Sequence, residues 1–216
     1  MNLVTLKKLV SKGEGIKLEF KKKANHPDRI VNEAVALANT EGGDILIGVD
    51  DNGDLSGIKY PEDDLVFISD YLHRKIKPHL SIHSEIIRLS NQRGIIWIRI
   101  PAKAERIYAV YQQPEDQAGV VYYRVKDETI KASPELKRIL RQTVKDRSRT
   151  IRFGHIESAV LKGLEIRSQL SIKILMEQHN FKRRELANCL VNLVLTKVLR
   201  IIPGQPDDLY TFNDDR

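Results

Sequence analysis

No stretch limits the folding of this chain more than residues 37–57, LANTEGGDILIGVDDNGDLSG. Its centre, Asp44-Ile45-Leu46-Ile47-Gly48-Val49, is a short apolar run bounded by turn signals and reads as a buried strand. Upstream, Ile30, Val31, Ala34, Val35, Leu37 and Ala38 recur with helical spacing. Asn39-Thr40-Glu41-Gly42-Gly43 ends that helix, with glycine available for the left-handed C-terminal position. Downstream, Asn52-Gly53 is the strongest short-range hairpin signal, because both residues tolerate positive φ. Residues 55–58 then read as the return strand.

The same stretch excludes three kinds of site. It has no Gly-Lys-Ser/Thr triplet, so it is not a Walker-type phosphate loop. Its order is helix to strand, whereas dinucleotide fingerprints run strand to helix. DDNGDLSGIKYPE lacks the ligand register of a calcium loop. The glycines therefore read as a helix stop and a turn.

Elsewhere, residues 15–23, GIKLEFKKK, alternate as a half-buried strand does, with Ile16, Leu18 and Phe20 on one face and Lys17, Glu19 and Lys21 on the other. Pro27 and Asp28 suit a helix first turn. Residues 64–76 read as a helix that stops before Pro78. Residues 80–89 and 94–100 read as paired strands around Ser90-Asn91-Gln92-Arg93, and residues 120–125 as another strand. Ser133-Pro134-Glu135 opens a helix expected to reach about residue 147.

The pattern changes near residue 150. Residues 171–179 and 182–199 read as two helices joined at Asn180-Phe181, and residues 200–202 and 209–212 as a hairpin. Helix, short turn, helix and two-stranded wing is the order of a winged helix-turn-helix, with Lys182, Arg183 and Arg184 opening its second helix. Two domains are expected, residues 1–148 and 149–216; 216 residues suffice for one medium and one small domain.

Lys+Arg 36 against Asp+Glu 29 gives a net charge of +7, which favours polyanionic partners. The lone cysteine, Cys189, excludes an internal disulfide and a cysteine-rich zinc site, and it shares an apolar helical stripe with Leu186, Leu190 and Leu193. No apolar run approaches eighteen residues, so no membrane partner is expected. MNLVTLKKLVSKGEG has lysines inside its apolar pattern and no cleavage site, unlike a signal peptide, so a cytoplasmic location is expected.

Four ordered motifs resemble a known family. Glu14-Gly-Ile-Lys-Leu-Glu19-Phe20-Lys21 resembles E-x-x-x-x-E-F-K. Ala36-Leu-Ala-Asn-Thr-Glu-Gly-Gly43 resembles A-F-A-N-T-x-G-G. Ile45-Leu-Ile-Gly-Val-Asp-Asp51 with Gly57 resembles the family's strand and acidic turn, and Tyr122-Tyr-Arg-Val125 through Ala132-Ser-Pro-Glu135 its Y-Y-x-R-V…A-S-P-E close. These are the motifs of the Schlafen AlbA-like (AlbA_2) domain, a nucleic-acid-binding domain once labelled a divergent ATPase; the resemblance covers about residues 8–145. It implies an α+β fold, a mixed sheet with flanking helices. The C-terminal segment resembles the winged-helix segments that follow this domain in bacterial transcriptional regulators. Relatives with ribonuclease activity use two glutamates and an aspartate, which map by motif to Glu14, Glu19 and one of Asp50 or Asp51. A metal set of Glu14, Glu19 and Asp51 would hold Mg²⁺ or Mn²⁺ to activate water. Eukaryotic relatives form a groove from two such lobes, so a one-lobe chain would build one as a homodimer.

On the residues themselves, Glu14 and Glu19 are five apart and would face opposite sides of one ideal strand, unless a bend near Gly13 or Gly15 joins them. The competing reading pairs Glu19 with Lys17 or Lys21 on a solvated face and leaves Asp50 and Asp51 as turn residues. Lys21, Lys22 and Lys23 form a basic cluster suited to phosphates, and Arg124, Lys126 and Lys131 extend it, with Arg124 expected on the polar face of its strand. His79 and His83 share a strand face but have no third metal ligand. Trp97 alternates with Ile96 and Ile98, for packing or for stacking on a base. The expectation is a nucleic-acid-binding protein, for DNA or RNA, of the transcriptional-regulator type. A metal-dependent ribonuclease is the alternative, and an ATP-binding interaction module a third.

Overall fold

The computed structural model describes residues 1–102, 106–113, 115–143 and 153–213. These form two compact units, Met1–Lys131 and Ala132–Arg216. The expected domain boundary at residue 148 lies outside the described residues.

The first unit runs α1 (Leu3–Val10), β1 (Leu18–Lys21), α2 (Pro27–Ala38), β2 (Gly43–Ile47), β3 (Ile58–Lys59), α3 (Pro61–Lys75), β4 (Ile76–Lys77), β5 (His83–Arg88), β6 (Arg93–Ile100), β7 (Ala109–Val110), β8 (Tyr122–Val125) and β9 (Glu128–Lys131). Five strands make a mixed sheet. β1 pairs parallel with β2, and β2 pairs antiparallel with β6, placing Ile47 opposite Ile96. Ile96 also faces Ile86 of β5, so β5 takes the other edge of β6. Gly94 faces both Arg88 of β5 and Ile58 of β3, so β3 lies end to end with β2. This is the mixed α+β architecture expected.

Both faces of the sheet are covered. Ile45, Ile47, Ile96, Ile98 and Ile100 pack against Ile30, Val31, Ala34 and Val35 of α2 and Ile68 and Leu72 of α3. On the opposite face Leu18, Phe20, Leu46, Ile95 and Trp97 pack against Leu6 and Val10 of α1. Trp97 is therefore a packing residue: its Nε1–H donates to Asp44 at 2.7 Å, and the Arg99 guanidinium holds the same carboxylate.

α2 stops where the glycines predict. Gly42 (φ +70) donates its N–H to the Leu37 carbonyl at 2.8 Å. Gly43 then enters β2 beside β1, so close that a Cβ there would sit 2.4 Å from the Lys17 carbonyl oxygen. The acidic turn differs from the expected hairpin. The Gly53 N–H bonds the Asp50 carbonyl and the Gly57 N–H reaches Gly48, so the chain does double back. The return strand β3, however, pairs with β6 and not with β2. A local turn signal fixes the reversal but not the edge on which the chain next pairs.

The second unit contains α4 (Pro134–Thr143), α5 (His155–Arg167), α6 (Ile172–Gln178), α7 (Arg183–Leu195), β10 (Leu199–Ile202) and β11 (Leu209–Phe212). Ser133 and Ser171 cap α4 and α6 through their hydroxyls. The expected extension of α4 to residue 147 lies outside the described residues. Val160, Leu164, Leu175, Leu186, Cys189, Leu190 and Leu193 form the core with Leu199 and Tyr210. Burial pushes the Cys189 thiol up to about 12, as suits a packing residue. Among the described residues no helix is long and apolar enough to cross a membrane.

Gly43→Ala should lower stability by more than about 1 kcal/mol, because the added methyl meets backbone at a positive φ. At Gly15 an added methyl meets nothing within 4 Å, so Gly15→Ala should stay within about 0.5 kcal/mol of wild type. Thermal melting of the two variants checks the contrast; equal losses would contradict it.

Candidate nucleic-acid interface

The site is built on a reversal before β1. Gly13 (φ +72) turns the chain, and Gly15 and Leu18 bridge backbone to backbone. Glu14 is thereby carried back to Phe20, whose N–H donates to Glu14 Oε1 at 2.8 Å. The bend considered near Gly13 or Gly15 thus exists, and Glu14 and Glu19 meet despite their spacing.

Glu19 does point away from Leu18 and Phe20, but the face it reaches is covered by α2 and by the β8–β9 hairpin. Glu19 is 5 % exposed and Arg124 of β8 only 1 %. Arg124, expected on a polar face as part of a phosphate-binding patch, is therefore buried and cannot touch a phosphate. Its guanidinium donates to Glu19, to Glu33 of α2 at 2.7 Å, to the Gly15 carbonyl at 3.0 Å and to Thr129 at 3.2 Å. Lys21 donates to the other oxygen of Glu19 and lies 3.8 Å from Glu33. Two carboxylates and two cations so form a charge-balanced network with no unmet donor on the guanidinium face, the condition under which buried charge is tolerated. Burial pushes the Glu33 carboxyl up, and the neighbouring Glu19 carboxylate adds to it. Burial likewise raises Glu14, opposed by the Phe20 N–H.

Outside this network a cleft of about 360 Å³ is lined by Glu14, Glu19, Lys21, Lys22, Lys23, His26, Arg29 and Asp51. Asp50 does not line it; it holds Lys22 at 3.1 Å and accepts the Ser56 hydroxyl at 3.2 Å. The structure thus gathers Glu14, Glu19, Asp51 and the three lysines in one place. His26 and Arg29, at the first turn of α2, join them; the helix-start signal Pro27-Asp28 marked that turn without assigning it a role. Lys126 and Lys131 are exposed at the turn and end of the β8–β9 hairpin and do not line the cleft. His79 and His83 have separate partners, the His73 ring and Glu85. In the second unit Lys182 and Arg184 are exposed, whereas Arg183 is held by Glu135 at 3.0 Å.

A divalent ion would need free carboxylate oxygens in the cleft. Glu19 spends one oxygen on Lys21 and the other on Arg124, and Glu14 Oε1 accepts the Phe20 N–H. Among the described residues no three His, Cys, Asp or Glu side chains are placed to hold a metal. The donor set does not fit Mg²⁺ or Mn²⁺ in this arrangement.

The fold and the cleft define an α+β domain that presents basic side chains around a Glu19 carboxylate neutralised by Lys21 and Arg124. Residues 14–133 match the Schlafen, AlbA_2 family. The match takes in more than half of the chain, and the chain belongs to that family. No curated protein matches the sequence. Two solved structures are similar in part. The DIP2311 protein from Corynebacterium diphtheriae is 16% identical with a TM-score of 0.41; the similarity covers 69% of this chain and 29% of that one. The N-terminal domain of a RecG-related protein from Nitrosomonas europaea is 17% identical with a TM-score of 0.41, over 72% of this chain and 97% of that one.

Glu14 binds its proton more tightly in the folded state than at its ordinary value of 4.5. Its contribution to stability is therefore full below about pH 4.5 and is lost as pH rises through the higher folded value. Gln at this position keeps the acceptor for Phe20 and cannot titrate. Denaturant unfolding should show the stability of Glu14→Gln rising relative to wild type as pH increases from about 4.5 and then levelling; a difference constant with pH would contradict this.

Proposed function

We propose that this chain is a cytoplasmic nucleic-acid-binding protein with a regulatory role. The observation that carries the reading is the cleft beside β1. Lys23 and Arg29 line it with no ion pair among the described residues, while Glu19 is neutralised by Lys21 and, from behind, by Arg124, and Lys22 is held by Asp50. A free carboxylate cluster would repel a phosphodiester backbone. With Glu19 already balanced, Lys23 and Arg29 are left to hold phosphates and release counterions. Membership of the AlbA_2 family supports the same reading.

The second unit supports a regulatory role. Its order is α5, the Leu170 bridge to Tyr210, α6, α7 and the β10–β11 hairpin, which is the order of a winged helix. In such modules the second helix of the pair enters the major groove by its N-terminal residues. Here those are the exposed Lys182 and Arg184.

Convergence of Glu14, Glu19 and Asp51 on one cleft favours a second reading, a metal-dependent ribonuclease. The occupied oxygens of Glu19 and Glu14 weigh against it, and binding is the function the geometry supports best.

Fluorescence anisotropy of labelled oligonucleotides across a salt series tests the proposal. The logarithm of the binding constant should fall linearly with the logarithm of salt concentration. Lys23→Ala should weaken binding about equally for all sequences and reduce the slope by about one. Affinity weaker than about millimolar at low salt, or independent of salt, would overturn the proposal.

A further inference from the structure

Next to the acidic and basic cleft lies a second cavity of about 580 Å³, lined by residues 22–25, by residues 56–59 including β3, and by Asp64 and Phe67 of α3. The two share Lys22, Lys23 and Asn25 as a common wall. The second cavity differs in chemistry. It has an aromatic wall, Phe67, and no carboxylate from the cleft. Lys22, Lys23, Lys59 and Arg93 line it against one acid, Asp64. Its volume falls within the range of small-ligand pockets.

Phe67 is not spent on the core. It is 46 % exposed on α3, whereas Ile68 and Leu72 of the same helix are buried. Its ring stands 5.8 Å from Tyr71, tilted by 31°, one helical turn on. Tyr71 in turn carries Arg74 and Lys75 over its face, at 5.7 and 5.6 Å. Tyr60, at the start of α3, is also exposed. The solvent side of α3 thus interleaves aromatic rings with cations. Lys23 and Lys59 make no ion pair among the described residues, while Arg93 is held by the Ser56 and Gly57 carbonyls at 2.9 Å. An exposed ring beside lysines that have no carboxylate partner is the pairing that single-stranded nucleic acid uses, with bases on the aromatic platform and backbone on the cations.

We infer that the Phe67 cavity receives an unpaired nucleobase of a single strand whose phosphates lie along Lys23, the lysine of the shared wall that makes no ion pair among the described residues. The inference rests on the nucleic-acid reading and deepens it, because it names the strand state of the ligand. In a duplex both faces of each base are already stacked, so Phe67 has no π-face to meet. In a single strand the base adjoining a phosphate on Lys23 can turn into the cavity on the far side of that wall. The cleft then supplies electrostatic affinity and the cavity supplies preference for unpaired strands.

The test compares wild type, Phe67→Ala and Phe67→Trp by anisotropy, on a labelled oligothymidine and on a duplex of equal length at one salt concentration. Melting curves of the two variants should match wild type, since the position is exposed. Phe67→Ala should weaken single-strand binding about 5- to 150-fold and leave duplex binding and the salt slope unchanged, and Phe67→Trp should retain wild-type affinity. Equal loss on both ligands, or none on the single strand, would overturn the inference while leaving the nucleic-acid reading intact. A change in mass on size exclusion with unchanged binding would assign the patch to a second copy of the chain and overturn it too. If wild type binds neither ligand, both readings fall.

Discussion

The buried guanidinium of Arg124 holds the first unit together at the point where its separate pieces meet. It joins β8 to β1 through Glu19, to α2 through Glu33, and to the reversal before β1 through the Gly15 carbonyl. Removing one partner of such a network leaves an uncompensated charge in the interior, which costs about 3–5 kcal/mol. All its members must therefore be in place together, and with them the three elements that carry them. The backbone of the same residue is fixed as well, because the Arg124 N–H donates to Thr40 just after α2 at 3.0 Å. One residue earlier, Asn39 donates to the Tyr108 and Tyr122 carbonyls and accepts the Tyr108 N–H. The Asn-Thr pair of the glycine-stopped helix thus clamps the β8 side of the fold onto α2.

This arrangement gives Glu19 a structural occupation. Its two oxygens are divided between Arg124, wholly inside, and Lys21, at the cleft wall. The balance of charge seen by a ligand is then set by the groups still facing out: Lys22 and Lys23, Arg29 and His26, against Glu14 and Asp51. A phosphate backbone meets Lys23 and Arg29 beside a Glu19 whose charge is already balanced. Physical reasoning from the network therefore leads to binding, and the adjoining aromatic cavity adds a means of telling paired from unpaired strands.

Much of this was legible in the sequence where the signal is local. Helical spacing and Gly42-Gly43 gave α2 and its end, the polar turn 90–93 gave the β5–β6 pair, and turn and cap residues gave α6, α7 and the C-terminal hairpin. The convergence of Glu14 and Glu19 was readable from the flanking glycines. The burial of Arg124 was not. Alternation assigns an arginine between Tyr123 and Val125 to solvent, yet Tyr123 and Val125 are the more exposed. What reverses the assignment is Glu33, ninety-one residues away in sequence, and no local pattern announces that pairing. The partner of β3 was hidden for the same reason. α1 carries little local signal, since eight residues with two interior lysines show little more than the spacing of Leu6 and Val10.

The claim that Glu19 is an anchor for Arg124, and not a ligand for a catalytic metal, is tested most directly by incubating wild type and Glu19→Gln with a folded RNA and Mn²⁺ and resolving the products on a denaturing gel. The account predicts intact RNA with both proteins, and a lower melting temperature for Glu19→Gln. Cleavage by wild type that Glu19→Gln abolishes, with its fold and RNA affinity retained, would contradict it.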